Sequence, residues 1–369
     1  MEQKTKRLVH YILIVGLILI VVVAIILAIT LSSKNDDEEK NKEGGEEEID
    51  IVNSYNNTEE LIKKFPVGNP TTVLPGIEKN IQNRLLTGFE NWNRGFKAWK
   101  AWGNILYTND SIYNVHGARL TLAHYQDAMD VSLKQATILM GAFHNMLIND
   151  EFTAIHYDFI TVVGGYQKKG KVMEFVKFKD YGDPLGTRVV EGWGSTKDDS
   201  YSGMAHFQGE EEKKYEQEQL DYILKYEIPE TDDLKLKYKI NYPTKYVDEN
   251  GEDILKIILT GFDKWNEGIQ QYLEWVDTAY DEKATSSSLD ERNRTMEEYK
   301  NEMKELTTNH TIKKLYFENV LIRDNWAALH YRYTNYNSED KTTFGGDRMQ
   351  FLKFEQKADN LKIVASWIQ

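Results

Sequence analysis

The sequence predicts an α+β protein in which one helix-then-sheet unit occurs twice. Leu86-Thr-Gly-Phe-Glu-Asn-Trp-Asn-Arg-Gly95 returns 173 residues later as Leu259-Thr-Gly-Phe-Asp-Lys-Trp-Asn-Glu-Gly268. The offset persists, with Trp102 on Trp275, Tyr107 on Tyr280 and, after a one-residue slip, Tyr125 on Tyr299. Further on, Phe143 to Tyr157 lies over Phe317 to Tyr331, Met173 to Phe178 over Met349 to Phe354, and Trp193 over Trp367. A register kept through several separate blocks marks duplication. Within each copy the apolar spacing changes from that of a helix to that of a strand, and helices followed by a meander of strands read as α+β.

In chain order, residues 1–7 form a tail expected on the cytoplasmic side. Leu8 to Leu31 is an aliphatic run broken only by His10, Tyr11, Gly16 and Thr30. Its length spans a hydrocarbon core of about 30 Å as a helix, and it is longer than the apolar part of a signal peptide. Residues 8–31 are therefore expected to anchor the chain in a membrane as a single pass. Lys4, Lys6 and Arg7 crowd the N-terminal side, which places the rest outside the cytoplasm. Residues 32–76 begin with an acidic stretch, Lys34 to Asp50, that has no apolar period and reads as a disordered tether. It lacks the Asp-x-Asp-x-Asp-Gly spacing of a calcium loop. A short helix over Glu59 to Phe65 and a turn at Pro70, Pro75 and Gly76 precede the first unit.

The first unit occupies residues 77–195 and the second 251–369, with a linker over 196–250. From Ile77 to about Tyr107, Ile81, Leu85, Phe89, Trp92, Phe96, Trp99, Trp102 and Leu106 share one helix face, as do Ile254, Ile258, Phe262, Trp265, Ile269, Tyr272 and Trp275 in the copy. Gly88, Gly95, Gly261 and Gly268 weaken these helices by about 1 kcal/mol each relative to Ala, which points to bends or close approach of another element. A second helical region covers Leu120 to Met140 and Leu289 to Leu306. Strands follow over Met146 to Ile148, Phe152 to Val162, Val172 to Phe178 and Arg188 to Trp193. Their counterparts are Val320 to Ile322, Trp326 to Tyr333, Met349 to Phe354 and Leu361 to Trp367. In the linker, Gly209 to Tyr226 is helix-prone, Glu210 to Lys214 reads as a solvated charge run, and Leu234 to Ile240 reads as a strand.

Composition narrows the chemistry. With no cysteine, disulfides, zinc-thiolate sites and thiol nucleophiles are excluded. The chain carries a formal charge of -14, about -10 of it beyond the tether, and has no basic stripe, so nucleic acid is not an expected partner. There is no His-Glu-x-x-His, phosphate loop, dinucleotide fingerprint or Gly-x-Ser-x-Gly elbow, so neither a metal nor a cofactor is expected.

Val115-His116-Gly117-Ala118 ahead of a helix, the strand Glu151 to Tyr157, and the closing Lys177-Phe-Lys and Val189-Val-Glu-Gly-Trp193 resemble a SnoaL-like domain of the NTF2-like superfamily. The second unit is similar over Phe317 to Tyr333 and Met349 to Trp367. The resemblance implies two tandem cones, each a curved antiparallel sheet wrapped around helices with a pocket between them. It also implies a pocket that binds a small apolar ligand or a protein partner, or that holds a catalytic Asp or His as in polyketide cyclases and ketosteroid isomerases, and it allows a homodimer through the sheets. Two departures count against catalysis: the position after the closing Trp, often Asp in the family, is Gly194 or Ile368, and the second unit has no His-Gly loop.

Phe152, Ala154, His156 and Asp158 share one strand face, matched by Trp326, Ala328, His330 and Arg332. His156 with Asp158 is the candidate catalytic pair, a proton shuttle in which Asp158 favours protonated His156, while Arg332 favours neutral His330. The competing account is a half-buried histidine bonded to a neighbouring strand and repeated by duplication. His116, Tyr113 and Tyr125 are candidates for the pocket rim of the first unit, and His330 with Arg332 for the second. Tyr157 and Tyr331, on the opposite face, read as packing residues whose hydroxyl finds a partner. Three functions are therefore in contention: a membrane-anchored binding or interaction module, an enzyme active only in the first unit, and a structural scaffold.

Overall fold

The computed structural model describes residues 58–115, 118–182, 186–196, 207–225, 227–242, 250–287, 292–307, 309–358 and 360–369. All belong to one compact unit, Ile49–Gln369. The apolar run over 8–31, the acidic stretch and His116 lie outside the described residues. Among the described residues no helix is long and apolar enough to cross a membrane.

The first half runs α1 Thr58–Lys64, α2 Gly76–Asn93, α3 Phe96–Leu106, β1 Tyr107–Val115, β2 Ala118–Thr121, α4 Leu122–Gln135, β3 Thr137–Asn149, β4 Phe152–Val163, β5 Tyr166–Asp180 and β6 Thr187–Thr196. Two linker helices, α5 Glu210–Lys225 and α6 Leu234–Lys237, and the short β7 Ile240–Tyr242 lead to the second half. That half repeats the order as α7 Gly251–Glu267, α8 Ile269–Ala279, β8 Tyr280–Ser287, β9 Asn293–Thr295, α9 Met296–Thr307, β10 His310–Arg323, β11 Trp326–Asn337, β12 Thr343–Lys357 and β13 Asn360–Ile368.

The long helix expected from Ile77 to Tyr107 is two helices. The chain breaks at Gly95, with φ of 110°, and the copy breaks at Gly268, with φ of 145°, conformations that side-chain-bearing residues rarely adopt. The second helix of each pair folds back on the first. The Trp102 ring then lies directly over Gly88 and the Trp275 ring over Gly261, where any Cβ would collide with the indole. The four glycines thus divide into two that turn the chain and two that admit a tryptophan.

The strands extend beyond their expected bounds, and two per half were not expected at all. Residues expected to open the second helical region form β2, and Thr137–Met140 opens β3. β1 pairs antiparallel with β2 but parallel with β6, as β8 does with β9 and β13, so each sheet is mixed and not purely antiparallel. The orders are β2-β1-β6-β5-β4-β3 and β7-β10-β11-β12-β13-β8-β9. In the linker, Leu234–Lys237 is a helical turn and not a strand. The Asp233 side chain accepts the amide of Lys235 at 2.9 Å and of Leu236 at 3.3 Å, which starts a helical turn in place of the expected strand. Glu210 to Lys214 is not wholly solvated either. Glu212 is buried and accepts hydrogen bonds from Gly209, from the Thr121 amide at 2.6 Å and from His124 Nδ1 at 2.8 Å. Burial raises its carboxyl, but those donors outweigh it and hold the group below the usual range. That cluster fastens α5 to the start of α4.

Each sheet buries two faces. On β4, Ile155, Tyr157 and Phe159 pack under the helices with Ile81 and Phe89. The alternate residues face the other sheet, where Leu147, Ala154, Met173, Phe175 and Trp193 form one cluster with Leu321, Ala328, Met349 and Phe351. The contacts are reciprocal. The His156 ring lies 5.7 Å from Phe351 and 6.3 Å from Trp367, while His330 lies 5.8 Å from Phe175 and 6.2 Å from Trp193. Residue pairs exchanged in this way are the mark of a two-fold interface, here between two parts of one chain. At its edge Arg323 donates to Glu78 and to the Ile148 carbonyl, each at 2.6 Å.

Candidate functional site

Under the helices of the second half lies a cavity of about 340 Å³. Its floor is Ile258, Phe262, Leu329 and Tyr331, all buried, and its walls include Trp265 and Trp275. These positions follow from the helix repeat and from strand alternation: Leu329, Tyr331 and Tyr333 are the β11 residues that point to the helices. The Tyr272 and Tyr299 hydroxyls lie 2.7 Å apart. Burial pushes the Tyr272, Tyr280 and Tyr331 phenols well up, so they stay neutral hydrogen-bonding groups. Charge enters at few points. Arg294 is buried, forms an ion pair with Glu302 and donates to the Arg292 carbonyl at 3.1 Å. Arg348 stands 5.8 Å from the Tyr333 ring centre, and Gln350 donates to Ser366 Oγ at 3.0 Å.

In the first half, among the described residues, a buried tyrosine pair takes the equivalent position. Tyr113 lies opposite Gly192 as Ser286 lies opposite Ser366, so Tyr113 and Ser286 are structural counterparts. The Tyr113 ring stacks on Tyr125 with centres 4.4 Å apart. It fits because Gly192 and Gly194 have no side chains: a Cβ there would sit 2.5 Å from the ring and 2.8 Å from the hydroxyl. Tyr157 donates to Glu174 at 2.8 Å, and Tyr113 donates to it as well. Burial raises the Glu174 carboxyl and these two hydrogen bonds only partly offset that. In the second half Gln350 and Ile368 replace Glu174 and Gly194.

The candidate residues therefore separate. Tyr113 and Tyr125 come together as a filling of the core, not as a rim. His156 and Asp158 point away from the helix-side space. His156 is 1% exposed in the inter-sheet cluster, and Asp158 takes His144 as its partner at 2.7 Å. The expected protonation of His156 is reversed. Burial, then the charges of His144 and Lys171, outweigh Asp158 and lower its pKa to about 3. His330 and Arg332 lie on the same inter-sheet side, and the charge beside them is Asp347, 2.7 Å from His330 Nε2 and 3.3 Å from Arg332 Nε. Asp347 comes from the adjacent strand, which spacing along β11 could not reveal.

Ser286, Arg294, Tyr272, Tyr299 and Arg348 were missed. The available signal was disagreement between the copies: Ser286 for Tyr113, Arg294 for Leu120 and Arg348 for Val172, as the strand registers pair them. Among the described residues no group of three or more His, Asp or Glu is arranged to hold a metal ion.

No protein family matches the sequence, and no curated protein matches it. Solved structures that it resembles include an NTF2-like protein from Cytophaga hutchinsonii, at 9% identity over 33% of this chain and 98% of that one, with a TM-score of 0.27. A ketosteroid isomerase-like protein from Erwinia carotovora atroseptica matches at 9% identity over 33% and 95%, with a TM-score of 0.28. A conserved protein from Planctomyces limnophilus matches at 10% identity over 32% and 96%, with a TM-score of 0.26. Likeness at these scores assigns no activity, and the functional reading rests on the geometry above.

Proposed function

We propose that the chain is a small-molecule-binding module made of two NTF2-like, SnoaL-like cones set back to back. The second cone holds a largely apolar ligand, and the first is its filled structural twin. The observation that carries this reading is the exchange of Tyr113 for Ser286. One cone spends its interior on a stacked tyrosine pair, while the other, with the same elements, has about 340 Å³ lined by aromatic rings and a few polar groups. A mostly apolar hollow with a handful of convergent polar groups is the usual form of a ligand site. The apolar run over 8–31 supports display of this module at a membrane surface, outside the cytoplasm, and membrane fractionation of the full chain tests that part separately.

The enzyme reading is less well supported. It needs His156 and Asp158 inside the cone, and their contacts are with the opposite sheet and with His144. The test of the binding reading is native mass spectrometry of the purified full chain. The wild type should carry a small-molecule adduct that Ser286→Tyr, built on the filled twin, loses. An adduct retained unchanged by Ser286→Tyr contradicts the reading.

A further inference from the structure

We propose that the ligand of the second-half cavity is an amphipathic carboxylate, a flat apolar body with one anionic head held by Arg348. The inference rests on the binding reading above and adds the ligand's charge. Arg348 lines the cavity and is partly exposed. Among the described residues no carboxylate lies within ion-pair range of it. Its neighbour Asp347 points to the other side of the sheet, toward His330 and Arg332. The second guanidinium in the lining, Arg294, is already matched by Glu302. The cavity thus holds two arginines against one carboxylate.

The comparison between halves points the same way. The counterpart of Arg348 is Val172 and that of Arg294 is Leu120, while Gln350 replaces the buried carboxyl of Glu174. Where the interior opened, the Glu174 carboxyl left and two guanidinia arrived, one of them with its own partner, since Glu302 stands where the first half has Ala128. A partly exposed guanidinium at the edge of an apolar hollow keeps donors available for an anion that enters it. Stacking on Tyr333 at 5.8 Å and donation from Nη1 to the Asp347 backbone carbonyl at 3.0 Å hold the guanidinium in one orientation, and its remaining N–H groups are donors suited to a carboxylate. The hydroxyl pair of Tyr272 and Tyr299 uses one of its two protons internally, leaving one to donate to a ligand oxygen. One cation with no carboxylate in ion-pair contact matches a monoanion, and the aromatic walls match a flat body.

The test uses a matched pair of probes, 2-naphthoate and its neutral isostere 2-naphthamide, titrated calorimetrically into the full chain. Wild type should bind naphthoate about tenfold more tightly, roughly the worth of one charge-assisted contact. Arg348→Gln should erase that preference without changing naphthamide affinity, Arg348→Lys should keep part of it, and Ser286→Tyr should abolish binding of both. Equal affinities in wild type, or a preference that survives Arg348→Gln, overturn the anion assignment and leave the binding reading intact. Failure of wild type to bind either probe, or undiminished binding by Ser286→Tyr, removes the binding reading and this inference with it.

Discussion

His156 shows how burial can outweigh a neighbouring charge. Asp158 lies two residues along the same strand face, yet removal from water sets the balance and lowers the pKa of His156 to about 3. The unfolded chain takes up this proton below about pH 6.5, the folded one only near 3. The folded-state value is depressed, so the stability it contributes is fully present above about 6.5 and drains as pH falls toward 3. The slope contributed is at most about 1.4 kcal/mol per pH unit. His156→Leu should therefore flatten the acid limb of stability, read as urea midpoints at pH 7 and pH 5. An unchanged difference between the two midpoints would mean that His156 is not the buried neutral group described.

At the scale of elements, the helix pairs carry the cavity. Gly268 turns the chain so that α8 lies back on α7, and Gly261 then admits the Trp275 ring, which is also a cavity wall. A Cβ at Gly261 would meet that ring at 2.5 Å. Gly261→Ala should cost about 1–3 kcal/mol as an overpacked contact, with probe affinity falling alongside as Trp275 is displaced, measured by denaturation and calorimetry together. Loss of stability with binding untouched would mean that the wall repacks elsewhere. The apolar spacing of these helices and the special standing of their four glycines were legible from the repeat. β1 and β2 were not, because the burial of β1 alternates only over its last five residues, after an exposed Asn109-Asp110. The strand depends on a parallel partner, β6, far along the chain. Local pattern carries no trace of such a pairing.

At the scale of the whole molecule, the two sheets act as one internal pair. Alternation along β4 and β11 showed which residues share a face, and it separated His156 from Tyr157. It could not say which face looks at helices and which at another sheet, because both are buried: Ala154, His156 and Phe175 are no more exposed than Ile155 and Tyr157. The candidate pair His156 and Asp158 therefore stands on the inter-sheet side of the strand, with its contacts to Phe351 and His144. The residues that shape the real hollow stood where the copies disagree, a signal that a search for likeness passes over. Reciprocal contacts also make a quantitative demand. Phe175 and Phe351 are both 0% exposed at equivalent points of the inter-sheet cluster. Phe175→Ala and Phe351→Ala should each cost about 3–5 kcal/mol, nearly equal and in a single unfolding transition. Two separated transitions would show halves that fold independently.

The central claim is that one half is hollow where its twin is filled, and xenon under pressure in crystals of the protein probes this without any assumption about the ligand, since apolar hollows take up the gas. The account predicts xenon density beside Ser286 and Tyr272, with none next to Tyr113. Xenon under the helices of the first half, or in neither half, would contradict it.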